Sequence, residues 1–265
     1  MAEKTDSNDV ARSESQLNDS VAIVTGASSG IGEATAEALA AEGASVVVAA
    51  RRADELETLA DTIESNGGDV LVVPTDVTEE DDIDSLVEAV TAEYGRIDIL
   101  VNNAGVMLVE PLERAERSNL RQMVEVNLLG LMTLTHAVLP VMQEQRAGHI
   151  VNVSSVAGRQ ANPSVSGYAA TKFGVNAFTE SLRQEVSTQN IRTTVIEPGV
   201  VETELPTHIT DKQVLERIAE LNEADIPALA PEDIARGIVF ATTQPAHVDV
   251  NELLIRPTGQ TQLGL

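Results

Sequence analysis

The feature that most constrains the fold is an alternation running through almost the whole chain. Seven short apolar segments read as strands: VAIVT (21–25), SVVVAA (45–50), DVLVVPTDV (69–77), IDILVNNAG (97–105), HIVNVSS (149–155), IRTTVIEP (191–198) and a last one at 252–256. Amphipathic stretches at 33–43, 53–68, 79–95, 118–146, 166–189 and 231–243 read as the helices between and after them. Strands apolar on both sides belong to a parallel sheet covered by helices on both faces. Right-handed crossovers then wind it as a Rossmann-type doubly wound α/β sheet of about seven strands. No composition break divides the chain. The expectation is one domain over 19–265, preceded by a flexible polar tail at 1–18.

Ligands of such sheets bind beyond the carboxyl ends of the strands, so the residues just after each strand matter most. The first strand runs into TGASSGIG (25–32), with Gly26, Gly30 and Gly32 between strand and helix. This is not the common G-x-G-x-x-G spacing, but the physics is alike. Glycines let the backbone approach a pyrophosphate closely, and the helix start at Ser28, Ser29, Gly30, Ile31 and Gly32 offers free N–H groups to it. Such a turn can also close with no ligand; its place in the first strand–helix unit favours the nucleotide. The second strand ends Ala49-Ala50-Arg51-Arg52, where NAD-binding sheets usually carry an acid for the ribose 2′-hydroxyl. Two guanidiniums in that place suit a 2′-phosphate, which points to NADP(H). The plainer alternative is a solvated pair at the next helix start.

YAATK sets Tyr168 and Lys172 four apart on one helix face. An ammonium beside a phenol favours the phenolate, so the pair can pass a proton near neutral pH. Alone, the pair would read as ordinary exposed helix surface. It is accompanied by Ser154-Ser155 at one strand end, Asn102-Asn103-Ala104-Gly105 at another, and Asn127 in the apolar stretch VEVNLLGL. A buried Asn needs a partner, such as a water on a proton path.

At this point the chain resembles the short-chain dehydrogenase/reductase family over about residues 20–260. TGASSGIG, Asp76-Val77, NNAG, Asn127, Ser155, Tyr168, Lys172 and PGVVET (198–203) match its motifs in order. The resemblance implies Tyr168 as acid/base and Lys172 as the group that lowers its pKa and binds the nicotinamide ribose. Ser155, rather than Ser154, would polarise the substrate oxygen, and Asn127 would hold a relay water. Asp76 and Val77 would bracket adenine, Asn103 would touch the adenine-side ribose region, and Val201 and Thr203 would fix the carboxamide. Ala104, Gly105, Pro198 and Gly199 would also contact the cofactor. The Pro-Thr-x-Gln ending at 257–260 is similar to the NADP-dependent 3-hydroxy acid (serine-type) branch. The resemblance also implies a homo-oligomer, tetramer or dimer, built through the two long helices and the last strand.

The substrate lid is expected at 204–226, carrying His208, Ile209, Leu215 and Ile218, whose plainer role is packing. Arg159, four past Ser155, could meet a substrate carboxylate or simply be solvated. The expected substrate is a small hydroxy or keto compound, possibly a 3-hydroxy acid. The alternatives are a 3-oxoacyl-thioester or general carbonyl reductase, and a catalytically silent NADP-binding regulator. A thioester carrier needs a basic entrance, whereas 204–226 holds only Lys212 and Arg217 among several acids.

Charge excludes further classes. The net charge is -25, from 42 acidic against 17 basic residues, and only Lys4, Lys172 and Lys212 are lysines. Such a field repels nucleic acid and anionic membranes. It also fits a halophile's protein, in which molar salt screens the self-repulsion. There are no cysteines, and His136, His149, His208 and His247 show no metal-ligand spacing, so no metal is expected. EEDD (79–82) reads as acids at a positive helix end behind a Thr78 cap. The N-terminus lacks a signal-peptide core, and no apolar run approaches a membrane span; a cytoplasmic location is expected.

Overall fold

The computed structural model describes residues 16–209, 211–212, 214–215 and 227–260. Most of the expected tail, and Ile218 with much of the expected lid, lie outside the described residues, as does the side chain of His208. The seven expected strands form one sheet in the order β3-β2-β1-β4-β5-β6-β7, all parallel. They are β1 (Val21–Thr25), β2 (Ser45–Ala50), β3 (Asp69–Pro74), β4 (Ile99–Asn102), β5 (Gly148–Val153), β6 (Ile191–Pro198) and β7 (Glu252–Ile255). The helices are α1 (Gly30–Ala41), α2 (Ala53–Ser65), α3 (Glu80–Tyr94), α4 (Arg117–Val124), α5 (Leu131–Gln145), α6 (Ser166–Val186) and α7 (Pro231–Thr242).

Alternate residues of each strand feed opposite faces. Ala22 and Val24 of β1 pack with Leu39, Leu56, Ile234 and Ile238 from α1, α2 and α7. Val21 and Ile23 pack on the other face with Leu86, Leu134, Met142 and Leu182 from α3, α5 and α6. With aromatics at 2% of the chain, aliphatic side chains build this core, each contributing about 1.5–3 kcal/mol when fully buried. The sheet order reverses between β1 and β4. A crevice therefore opens at their carboxyl ends, where the chain carries TGASSGIG and NNAG.

Several expected boundaries move. α1 starts at Gly30, three residues early, and β3 stops at Pro74, which has no N–H to continue a ladder. β4 ends at Asn102, before the NNAG loop turns. The expected helix 118–146 is interrupted by a π-turn at Glu125–Gly130 between α4 and α5. Two contacts hold that turn: Asn127 is bonded to Val106, and Gly130 sits where a Cβ would come within 2.5 Å of the Val77 carbonyl. Contrary to the sequence reading, the continuous run Arg117–Gln145 is long and apolar enough to cross a membrane by length and composition. Its Leu134, Val138 and Met142 instead pack on the sheet. Glu79, not Thr78, caps α3; the Thr78 hydroxyl turns back to Asp76. Among the described residues no His, Cys, Asp or Glu cluster could hold a metal ion.

Candidate active site

The glycine turn is anchored from β4. The Asn103 amide nitrogen donates to the carbonyl oxygens of Thr25 (2.9 Å) and Gly26 (3.3 Å). The Thr25 hydroxyl accepts from the N–H groups of Asn103 (3.0 Å) and Ala104 (3.1 Å). Gly26 stands at φ 64° and Gly30 at φ 58°, where only glycine sits without strain. A Cβ on Gly32 would lie 2.2 Å from the Gly26 carbonyl. The α1 N-cap, Ser29, makes no side-chain capping bond, so the first-turn N–H groups receive no cap from it. A cavity of about 480 Å³ adjoins this turn, lined by Ser29, Gly30 and Thr203 together with Glu33, Glu37 and Glu204.

The two arginines after β2 divide. Arg52 folds onto the glycine turn, donating to the hydroxyls of Ser28 (3.1 Å) and Ser29 (2.9 Å) and pairing with Glu204 at 3.0 Å. Arg51 is exposed and lies 3.9 Å from Asp76. Asp76 itself binds Thr78, and its N–H goes to Asp82, which holds it at the crevice rim. Val77 backs onto Gly130 of the π-turn.

The residues expected to handle the proton meet where β5, α6 and the β4 loop converge. Ser155 follows β5 and caps the short turn Val156–Gly158; its Oγ accepts from Ala157 N at 3.0 Å. Ser154 is committed elsewhere, donating to the Lys172 carbonyl at 3.2 Å. The two serines thus have different partners. Tyr168 and Lys172 are both buried. Burial pushes the Tyr168 phenol up to about 12, and a side-chain hydrogen bond with Ser155 pulls the other way. Burial pulls the Lys172 ammonium down to about 8. Contrary to expectation, the phenol is not held down by Lys172. Its Nζ lies 5.7 Å from the ring centroid and donates to the Val153 carbonyl at 2.9 Å.

Asn127 has partners within the protein. Its amide pairs with both the N–H (2.7 Å) and the carbonyl (2.9 Å) of Val106, and it reaches the Thr171 hydroxyl at 3.2 Å. A Cβ on Gly105 would lie 3.4 Å from Asn127 Oδ1 and 3.9 Å from Lys172 Nζ, so Gly105 is the gap between them.

The turn after β6 brings Pro198, Gly199, Val201 and Thr203 to the same end of the sheet. Gly199 N–H donates to Ile255, Gln260 Oε1 accepts from Val200, Val201 bridges to Leu229, and Thr203 rests against Gly30. Of the lid, Ile209 and Val214 are buried in one apolar cluster with Tyr168, Val106 and Met123, whereas Leu215 is exposed. Asp211 joins this cover to the β4 loop through Arg114 at 3.0 Å. Arg159, suggested for a substrate carboxylate, has its guanidinium paired with Glu197 and Glu252. Thr25 and Glu197 were not singled out from sequence. An acid in the apolar strand IRTTVIEP was the available signal for the second.

Comparison with known proteins identifies the family. The family described as short chain dehydrogenase matches residues 20–214. An uncharacterised oxidoreductase of Staphylococcus saprophyticus is 43% identical over 92% of this chain and 98% of its own. The closed form of serine dehydrogenase complexed with NADP+ superposes with a TM-score of 0.84 at 35% identity, covering 92% of this chain and 98% of the other. A metagenomic short-chain oxidoreductase in complex with NADP gives 0.78 at 32% identity, covering 92% and 99%.

Proposed function

Because this chain belongs to the short-chain dehydrogenase family of oxidoreductases, we propose that it moves a hydride between NADP(H) and a small hydroxy or keto compound, 3-hydroxy acids first among them. The observation that carries this reading is the convergence of the buried Tyr168 phenol with Lys172, 5.7 Å from its ring, and with Ser155 at the end of β5, whose hydroxyl acts on the phenol's pKa.

The cofactor site fits the nucleotide on this chain's own features. The α1 start lacks a side-chain cap, the Gly26 and Gly30 conformations admit a close approach, and Arg52 is already seated on Ser28 and Ser29. Arg52 is the residue for the 2′-phosphate, with Arg51 beside it; two of the similar structures are complexes with NADP or NADP+. Glu204 pairs with the same guanidinium and must yield that bond when the phosphate arrives. Asp76, Val77, Asn103, Ala104 and Gly105 would flank the adenosine half. Pro198, Gly199, Val201 and Thr203 would hold the nicotinamide half, with Lys172 on its ribose.

When bound, the nicotinamide supplies or accepts the hydride. Ser155 orients the substrate oxygen through its hydroxyl. Tyr168 gives that oxygen a proton in reduction and takes one in oxidation. Lys172 supplies positive charge to the phenol's surroundings once protonated. Asn127 ties the β4 loop to the π-turn and so holds Gly105 open between itself and Lys172. The buried Ile209 and Val214 exclude water over Tyr168.

Exposed Leu129, Met132, Phe173, Phe240 and Leu254 support assembly through the long helices and the last strand. The acid excess supports a molar-salt setting. The test is reduction of NADP+ by serine, 3-hydroxypropionate and 3-hydroxybutyrate in molar KCl, with Tyr168→Phe beside the native protein. Turnover that disappears in the variant supports the reading. Turnover that survives in the variant removes Tyr168 from its role. No turnover with NADPH still bound removes the 3-hydroxy acid class.

A further inference from the structure

Glu197 lies one residue before the end of β6 and is only 1% exposed. Its carboxylate accepts from Arg159 Nε at 2.5 Å and from Asn176 Nδ2 at 2.8 Å. Arg159 directly follows the short turn that Ser155 caps, and it also pairs with Glu252 of β7. Asn176 stands one helical turn beyond Lys172 on α6, and its amide also donates to the Gly158 carbonyl at 3.2 Å. One buried carboxylate thus grips the serine turn and the helix of Tyr168 and Lys172 together.

The two pieces touch with no slack. A Cβ on Gly158 would lie 2.7 Å from Ser154 Oγ and 3.0 Å from the Lys172 carbonyl. A buried ion pair is a weak device for stability, since an apolar pair of similar volume often serves as well. What it provides here is direction: the guanidinium fork and the amide each meet the carboxylate in one orientation.

We infer that Glu197 is a positioning residue which, through Arg159 and Asn176, sets the Ser155 turn against α6 and thereby the Ser155–Tyr168 hydroxyl pair. This rests on the reading of Tyr168 as proton carrier and Ser155 as its partner at the substrate oxygen. Glu197 touches neither hydroxyl. The charged groups around it are Arg159 on the turn and, through Arg159, Glu252 on β7; Lys172 of α6 faces Tyr168.

The experiment is Glu197→Gln, which keeps shape and weakens the grip on Arg159, assayed with the best substrate found for the native protein. Displacement of positioned groups costs up to about a hundredfold in rate, so kcat should fall about tenfold or more. NADPH binding, read by its fluorescence, should stay within about twofold, because the groups offered to its phosphates, at Ser28, Ser29 and Arg52, are held by contacts that Glu197 does not make. The midpoint of the kcat–pH profile should move to higher pH, since a weaker Ser155 hydrogen bond leaves the buried phenol harder to ionise. In a Ser155→Ala background the same substitution should cost less than about twofold, as residues acting through one another are not additive. If Glu197→Gln does not fold, Arg159→Gln loosens the same grip from its exposed side and carries the same expectations. A native kcat and pH midpoint, or an undiminished cost in the Ser155→Ala background, would overturn the inference. Tyr168→Phe in the same assay separates the two ideas. If it retains turnover, the proton-transfer reading falls; if it is inactive while Glu197→Gln behaves as native, only the role of Glu197 falls.

Discussion

Lys172 Nζ stands 5.7 Å from the Tyr168 ring centroid while its hydrogen bond goes to the Val153 carbonyl, across the end of β5. Burial drives the two groups apart in pKa, the phenol up to about 12 and the ammonium down to about 8. At neutral pH the phenol is therefore neutral, and the lysine lies close to its titration range.

Stability should carry the mark of this lysine. Its folded pKa lies below the unfolded value of about 10.5, so between about pH 8 and 10.5 the unfolded chain holds more protons. The burial penalty is full below pH 8 and is relieved as pH rises through that window. The relief is on the order of 3 kcal/mol when complete. Tyr168 acts oppositely, losing stability only above about pH 10. Denaturant unfolding without cofactor should show native stability gaining on Lys172→Met from pH 8 to 10. Parallel curves for the two proteins would contradict the assignment.

Cofactor choice should rest on Arg52 more than on Arg51, because only Arg52 is seated on Ser28 and Ser29. Losing charge-assisted bonds to a phosphate costs roughly 1.5–3 kcal/mol, so Arg52→Ala should raise the KM for NADPH roughly ten- to hundredfold. The KM for NADH should hardly move, and Arg51→Ala should have the smaller effect. Glu204→Gln, which removes the competing carboxylate, should lower the KM for NADPH. Equal losses for both cofactors in Arg52→Ala would show that it contacts something other than the 2′-phosphate.

Gly32→Ala isolates the steric demand of the glycine turn. Alanine favours helix over glycine by roughly 1 kcal/mol, and Gly32 is not at positive φ. Any loss must then come from the Cβ that would sit 2.2 Å from the Gly26 carbonyl. Overpacking of this kind typically costs about 1–3 kcal/mol. Calorimetry should show a lower melting temperature and weakened NADPH binding; unchanged values would mean that the turn relaxes freely.

Salt should act on both stability and affinity. The chain carries a net charge of -25, and carboxylates line the cavity beside the glycine turn. Raising KCl toward molar shortens the Debye length to about 3 Å, which quenches repulsion within the protein and toward an anionic nucleotide. The melting temperature should rise and the KM for NADPH should fall over that range. A protein equally stable and equally avid at low salt would refute adaptation to salt.

The sheet, its helices and the crevice were legible in the chain because they depend on local pattern. Apolar strands such as VAIVT and SVVVAA demand cover on both faces, and parallel strands leave few windings to choose from. The glycines at 26, 30 and 32 and the Tyr168–Lys172 spacing were legible for the same reason: each expresses a constraint within a few residues. Other facts appear only when distant segments meet. Asn127 binds Val106, Arg52 reaches Ser28, Ser29 and Glu204, and Arg159 is held by Glu197 and Glu252 rather than left for a substrate. Hydrogen bonds and ion pairs are short-ranged and directional, so their partners are decided by which residues the fold brings within about 3 Å. The pKa values of Tyr168 and Lys172 follow the same logic. Their spacing along the helix is a property of sequence, but the desolvation that moves both is set by everything packed around them.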